Sequence, residues 1–281
     1  MRSSLKRLTS GMHGWMLVLW IYASAGWRYY GWRRRLRLQQ FIIEESNQKG
    51  MKQTLLFIRH GQTTWNAEHR LPGQLPGITL DDTGRQQAAR LADALSVLPI
   101  SAVISSPLER ARETAEIIAQ PRKLAIEFEP GLMDIDVGHW AGQNHDELNK
   151  NDAEWKAFVR NPTVAPADVE TFPQVQERAV AAVERWRGRD KSGPYPAFVA
   201  HSDIIKLLIA HYTGLEAGQA GKLMIDNASV SIVEMEDDKQ LHVVAISWNP
   251  RPGWLKPPAP ESEQPHTGAI QAGEEKVSQE K

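Results

Sequence analysis

Arg59 and His60 stand side by side directly after the apolar run TLLFI of residues 54–58, and Gly61 follows them. That run is short and rich in residues that favour a central strand. Ligands of open α/β sheets collect at the carboxyl ends of strands, so the pair sits where chemistry is usually done. Two more groups obey the same rule. His201 closes the apolar run 197–200, and Arg110 lies one turn past a second strand expected over 102–105. If these three strand ends lie together, two guanidiniums and two imidazoles converge. Arginine makes bidentate, permanently charged contacts to phosphate oxygens, so phosphate suits this set best. A helix starting near Ser202 would add the N–H groups of its first turn.

Gly61 permits a sharp turn and a close approach to a bound group. Thr63 and Asn66 follow at a spacing that aims further donors and acceptors at the same point. With Gln62, Gly73 of the turn-rich loop 67–79, and Ser202, they make up the expected substrate contacts.

The elements that must hold these residues alternate. A helix is expected over 83–98, with Ala88, Leu91, Ala92 and Leu95 on one face and Pro99 ending it. Pro107 suits the first turn of the next helix, whose inner stripe is Leu108, Ala111, Ala115 and Ile118, with Arg110 and Glu113 off it. A strand over 125–128 leads into LMDIDVGHWAG, residues 132–142, where either Asp134 or Asp136 can face the site. A proline-bearing loop over 161–173, of the kind that carries function or lids, precedes an amphipathic helix over 174–186. After the strand 197–200, Ser202 or Asp203 is placed to cap a helix over 204–212 that Gly214 closes. Strands over 229–235 and 241–246, joined by a turn at 236–239, end the pattern. Such alternation predicts an α/β protein with a parallel sheet and helices on both faces.

Charge is distributed unevenly. Residues 1–50 hold nine Lys/Arg and two Asp/Glu, residues 51–248 twenty and twenty-seven, and residues 249–281 four and five. An acidic body of that size argues against a nucleic-acid partner. The chain has no cysteine, which excludes disulfides, thiol catalysis and Cys-ligated zinc. Residues 11–27 form an apolar run at the short edge of a membrane span, with Arg28, Arg33, Arg34, Arg35 and Arg37 after it. Two readings of residues 1–50 follow. The favoured one starts translation at Met51 and gives a cytoplasmic protein; the other anchors the protein to a membrane through residues 11–27. Residues 51–248 are the expected folded domain, and residues 249–281, rich in Pro, Glu, Gln and Gly, an expected disordered tail.

RHG followed by Thr and Asn, then SSPLERARETA at 105–115, LMDIDVGHWAG and VAHSD resemble, in order, the signatures of the histidine phosphatase superfamily. The resemblance runs over about residues 54–248 and points to the phosphatase branch. It implies a three-layer α/β/α fold, phosphoglycerate mutase-like, with a mostly parallel central sheet. It further implies that His60 attacks phosphorus and becomes a phosphohistidine, while Arg59, Arg110 and His201 neutralise the oxygens. Asp134 maps to the general acid, where most relatives carry Glu. The arginines are expected to lower its pKa in the empty site and a bound phosphate dianion to reverse that. Many phosphatase relatives have Gln before the loop glycine, where this chain has Pro72, so that contact is lost or passes to Gln74. The family usually has Gly where Ser202 follows the second histidine.

No cofactor or metal is expected, because arginines supply the positive charge. His139, His145, Asp134, Asp136 and Asp146 lack the tight spacing of metal ligands. The expected partner is a small phosphorylated metabolite, hydrolysed as a phosphomonoester. Two alternatives stand beside hydrolysis. Phosphoglycerate mutases carry extra arginines after the acid segment, where residues 142–161 offer only Lys150, Lys156 and Arg160. A weakly active phospho-ligand binding protein would not need a nucleophilic imidazole.

Overall fold

In chain order the strands are Gln53–Arg59 (β1), Ala102–Ser105 (β2), Ile126–Phe128 (β3), Pro196–Ala200 (β4), Val230–Met235 (β5) and Leu241–Trp248 (β6). The computed structural model describes residues 52–187, 189–236 and 241–250, so the expectations for residues 1–50 and for all but the first two residues of the tail lie outside it. The strands form one sheet in the order β3-β2-β4-β1-β5-β6. β1 to β4 run parallel, while β5 and β6 add an antiparallel pair. The sheet is therefore mixed, mostly parallel, and not parallel throughout. Most of the expected turn between β5 and β6 falls outside the described residues.

β1 is buried on both faces up to its last residue, which explains its continuous apolar run. Alternate side chains then feed two cores. Leu55 and Phe57, with Phe198 and Ala200, pack against Phe172–Trp186 (a helix) and Ser202–Thr213 (a second). Leu56 and Ile58, with Val103, Ala197 and Val199, pack against the helices Asp82–Ala94 and Glu109–Ala119. These make three layers.

Numbered along the chain, the helices are Thr64–Ala67 (α1), Asp82–Ala94 (α2), Glu109–Ala119 (α3), His145–Asn151 (α4), Ala153–Arg160 (α5), Phe172–Trp186 (α6) and Ser202–Thr213 (α7). Several ends differ from expectation. Leu108 is the N-cap of α3, so Pro107 precedes that helix. α6 begins inside the expected loop, because Thr171 and Gln174 form a capping box ahead of its first turn. α7 is capped by the backbone of His201, with no side-chain capping bond, so Ser202 and Asp203 lie within its first turn. Gly214 closes it at φ +70°.

α4 and α5 were not foreseen. The seven residues of α4 are polar and the eight of α5 amphipathic, and the two start from Asn144 and Asp152, whose side chains accept the first free N–H groups. They stay in place by burying Leu148, Trp155 and Phe158. Trp155 meets the fully buried Trp140 edge-on with ring centroids 5.0 Å apart, an arrangement contributing about 0.5–1.5 kcal/mol beyond area burial. Among the described residues no helix is long and apolar enough to cross a membrane.

Candidate active site

Parallel pairing with Arg59 opposite Ala200, and Ser105 opposite Val199, sets the ends of β1, β4 and β2 side by side. His60 follows β1 and donates its backbone N–H to Ala200 at 3.1 Å. His201 follows β4, and the two imidazole centroids are 5.2 Å apart. Arg110 occupies the first turn of α3 beyond β2. The sheet thus gathers the four groups as the sequence predicts.

His60 Nδ1 lies 2.7 Å from the Gly61 carbonyl. A carbonyl only accepts, so Nδ1 carries the proton and Nε2 is left with its lone pair. Burial, then the charges of Arg110 and Arg59, hold the His60 pKa well below the usual imidazole range. His201 is treated alike, by burial and the charges of Arg110, His60 and Arg59. Its Nε2 pairs with Ser106 Oγ at 2.9 Å.

Arg110 is fully buried although it stands off the apolar stripe of α3. One nitrogen, Nη2, donates to the Gly73 carbonyl at 2.8 Å and to Asp134 Oδ2 at 2.9 Å. Arg59 Nη1 donates to the Ile225 carbonyl at 2.6 Å. Among the described residues four buried side-chain nitrogens have no hydrogen-bond partner: Arg59 Nε, Arg110 Nε and Nη1, and His201 Nδ1. A buried polar group left unsatisfied costs about 1–3 kcal/mol, more when charged, so such a cluster fits an anion-binding centre.

Asp134 is the acidic residue that faces the site. Asp136 turns away and accepts the Gly138 N–H with Oδ1 at 3.0 Å. The Asp134 carboxyl also lies 3.6 Å from His201 Nδ1. Burial raises its pKa above the usual aspartate value; Arg110 opposes this and Asp203 adds to it. Arg110 thus acts in the expected direction, but burial outweighs it and the net shift is upward, with only 13% of the side chain exposed to water.

A cavity of about 700 Å³ opens over Arg59, His60 and Asp134, with Arg110 and His201 buried beneath its floor. Asn66, Gly73 and Ser202 line it. Gly61, Gln62 and Thr63 do not, and their jobs are structural. A Cβ on Gly61 would stand 2.4 Å from the Gly84 carbonyl oxygen, so its close approach is to α2 and not to a ligand. Gln62 Nε2 donates to Asp81 at 3.0 Å. Thr63 forms a capping box with Asn66 at the start of α1. Gln74 donates to the Asp134 backbone carbonyl at 2.9 Å, so it supports the acid segment.

The walls are apolar, with Leu71, Ile135, Val137, Trp155, Phe158 and Phe172, while the rim is charged but paired. His69 contacts Asp146 and Lys206 contacts Asp203, each at 2.9 Å. Arg70 lies over the Trp65 ring and donates to the Gly142 carbonyl. Among the described residues no three His, Asp or Glu side chains are grouped to hold a metal. Sequence reading missed Ser106, Thr114 and Asn227. Thr114 Oγ1 accepts the Gly61 N–H, and Asn227 Nδ2 donates to the His60 carbonyl and to Asn66 Oδ1. Ser106, directly after β2, was the one with a positional signal.

A mostly parallel sheet gathering two arginines and two histidines at its strand ends defines a phosphoglycerate mutase-like protein. The chain belongs to the histidine phosphatase superfamily (branch 1), which it matches over residues 55–248. It is 34% identical over 182 residues to the "Probable phosphoglycerate mutase GpmB" of Escherichia coli O1:K1, covering 64% of this chain and 84% of that protein. Among solved structures it resembles Bacillus stearothermophilus YhfR, at 33% identity and a TM-score of 0.64, over 69% of this chain and 96% of that one. It also resembles a mycobacterial glucosyl-3-phosphoglycerate phosphatase in complex with VO3, at 26% identity and a TM-score of 0.61, over 70% and 98%.

Proposed function

We propose that this protein is a metal-independent phosphomonoester hydrolase acting on a small phosphorylated metabolite. The observation that carries this reading is the cluster of buried nitrogens without hydrogen-bond partners on Arg59, Arg110 and His201 around an imidazole kept neutral. His60 Nε2 attacks phosphorus, the P–N bond forms and the ester P–O bond breaks. Asp134, protonated, gives its proton to the departing oxygen. As a carboxylate it then takes a proton from water, whose oxygen attacks phosphorus and breaks the P–N bond. Inorganic phosphate leaves and His60 is neutral again. Positioning and charge stabilisation are most of what such transfer requires, and here Arg59 and Arg110 supply the charge while His201 helps to position the phosphoryl group.

In the resting site the Asp134 carboxyl occupies Arg110, so an arriving phosphate competes for that guanidinium. A raised pKa favours the exchange, because a protonated Asp134 holds the arginine less tightly.

Similarity to GpmB favours a mutase as second reading. Against it, Lys150, Lys156 and Arg160 do not line the cavity; Lys150 pairs with Glu147, and Lys156 donates to the Lys150 carbonyl. The walls are mostly apolar, and the cations at the rim are already engaged, Lys206 by Asp203 and Arg70 by the Trp65 ring and the Gly142 carbonyl. The test is hydrolysis of an aryl phosphate with chelator present, beside His60→Ala and Asp134→Asn. Turnover lost in His60→Ala and reduced in Asp134→Asn supports the hydrolase. Interconversion of 2- and 3-phosphoglycerate, primed by 2,3-bisphosphoglycerate and with little release of phosphate, supports the mutase. An inert protein that still binds sugar phosphates supports the binding protein.

A further inference from the structure

Asp134 sits in an irregular segment between β3 and the 3-10 turn Gly138–Trp140, where no strand or helix fixes its main chain. Gln74 holds its carbonyl from the cavity loop, and the rest of the hold comes from Arg178 on α6. Its Nη1 donates to the carbonyls of Gly131 at 3.0 Å and Met133 at 2.8 Å, and its Nη2 to the carbonyl of Asp134 at 2.9 Å. Nε and Nη2 also grip Glu170, at 2.8 and 2.7 Å. All five N–H donors of the guanidinium are thereby committed, a number lysine cannot match.

Glu170 completes the grip from the other side. Its Oε2 accepts the Asp136 N–H at 2.8 Å, and its own N–H donates to the Asp136 carbonyl at 2.9 Å. Burial works against its charge, yet the Arg178 bonds and the Asp136 amide hold its pKa below the usual carboxylate value. Glu170 directly precedes Thr171 and the capping box that starts α6. Both flanks of Asp134 are therefore tied to one rigid fifteen-residue helix. Neither Arg178 nor Glu170 lines the cavity, so neither touches the substrate.

We propose that Arg178, clamped by Glu170, is the positioning residue that sets the reach of Asp134 for proton transfer. The inference rests on the hydrolase reading given above. Aspartate has a single methylene between backbone and carboxyl, so main-chain placement governs where the proton is delivered. An error of about 1 Å costs on the order of a hundredfold in such geometry.

The experiment compares kcat/KM for an aryl phosphate, whose leaving group needs little protonation, and an alkyl phosphate, whose leaving group needs much. Arg178→Lys and Glu170→Gln are expected to lose about tenfold to a hundredfold on the alkyl ester and little on the aryl ester. In Asp134→Asn the further change Arg178→Lys is expected to cost nothing more, because both act through one proton. Equal losses on both esters, or additive losses in the double variant, would overturn the proposal, since a merely structural role lowers everything together. Amide exchange at Ile135 and Asp136, expected to quicken in Arg178→Lys at unchanged thermal midpoint, tests the clamp without turnover. Unchanged exchange there would also overturn it. A wild type inert towards both esters would sink the hydrolase reading instead, with the exchange result still deciding the clamp.

Discussion

Arg110 Nη2 is shared between Asp134 Oδ2 at 2.9 Å and the Gly73 carbonyl at 2.8 Å, so one buried nitrogen ties the acid to the cavity loop. Removing that guanidinium removes both the proposed phosphate donor and the charge that opposes protonation of Asp134. Arg110→Ala is expected to lower kcat/KM by about 10²–10³, the size of effect seen when one preorganised donor is lost. Arg110→Lys restores charge without the fork and is expected to recover part of it. Steady-state kinetics on one ester measures both.

The pH profile follows from two shifts of opposite sign. His60 must be neutral to attack, and its pKa is pushed well down, so the rising limb of kcat/KM lies below the usual imidazole range. Asp134 must carry a proton to act as acid, and burial pushes its pKa up, so the falling limb lies above the usual aspartate range. Asp134→Asn is expected to abolish the falling limb and keep the rising one. In Arg110→Ala the falling limb moves to higher pH, because an influence that lowers the Asp134 pKa has gone. A profile measured with an alkyl ester separates the limbs.

Gly84 lies against Gly61 and Gln62, the residue pair that follows His60. A Cβ there would stand 2.0 Å from the Gln62 carbonyl oxygen, which is backbone and cannot swing aside. Gly84→Ala is expected to destabilise the fold by about 1–3 kcal/mol and to lower turnover, since His60 is displaced with Gln62. Urea melts and aryl phosphate assays on the same preparation read the two effects.

Asn227 holds His60 from the β5 side through its carbonyl and reaches Asn66 with the same nitrogen. Asn227→Ala is expected to cost about 0.5–1.5 kcal/mol of stability and to lower kcat more than it raises KM. Thermal melts with kinetics on two esters provide the check.

Strand ends were legible because apolar runs followed by Arg59-His60 and His201 carry their own signal. Arg110 was legible by its distance from β2, but its full burial was not, since an arginine off an apolar stripe is ordinarily solvated. Gln62 and Thr63 misled because spacing gives proximity in the chain and not direction of the side chain. α4 was missed because it is short and polar, and α5 because two turns are too few for its amphipathic period to register; tertiary burial of Leu148, Trp155 and Phe158 secures both. Arg178 was hidden for the reason that makes it effective: its ligands are main-chain carbonyls, which every residue has.

Among the described residues β1 pairs only with β4 and β5, both of which arrive after residue 195. During synthesis β1 therefore leaves the ribosome long before either partner, and β2 waits likewise for β4. β4 must insert between two strands already made, closing long loops on both sides, which is entropically slow. A nascent or truncated chain ending before β4 exposes the apolar edges of β1 and has no partial site. Chaperone demand is consequently expected to peak while β2 to α6 are being translated, and to fall once β4 is home.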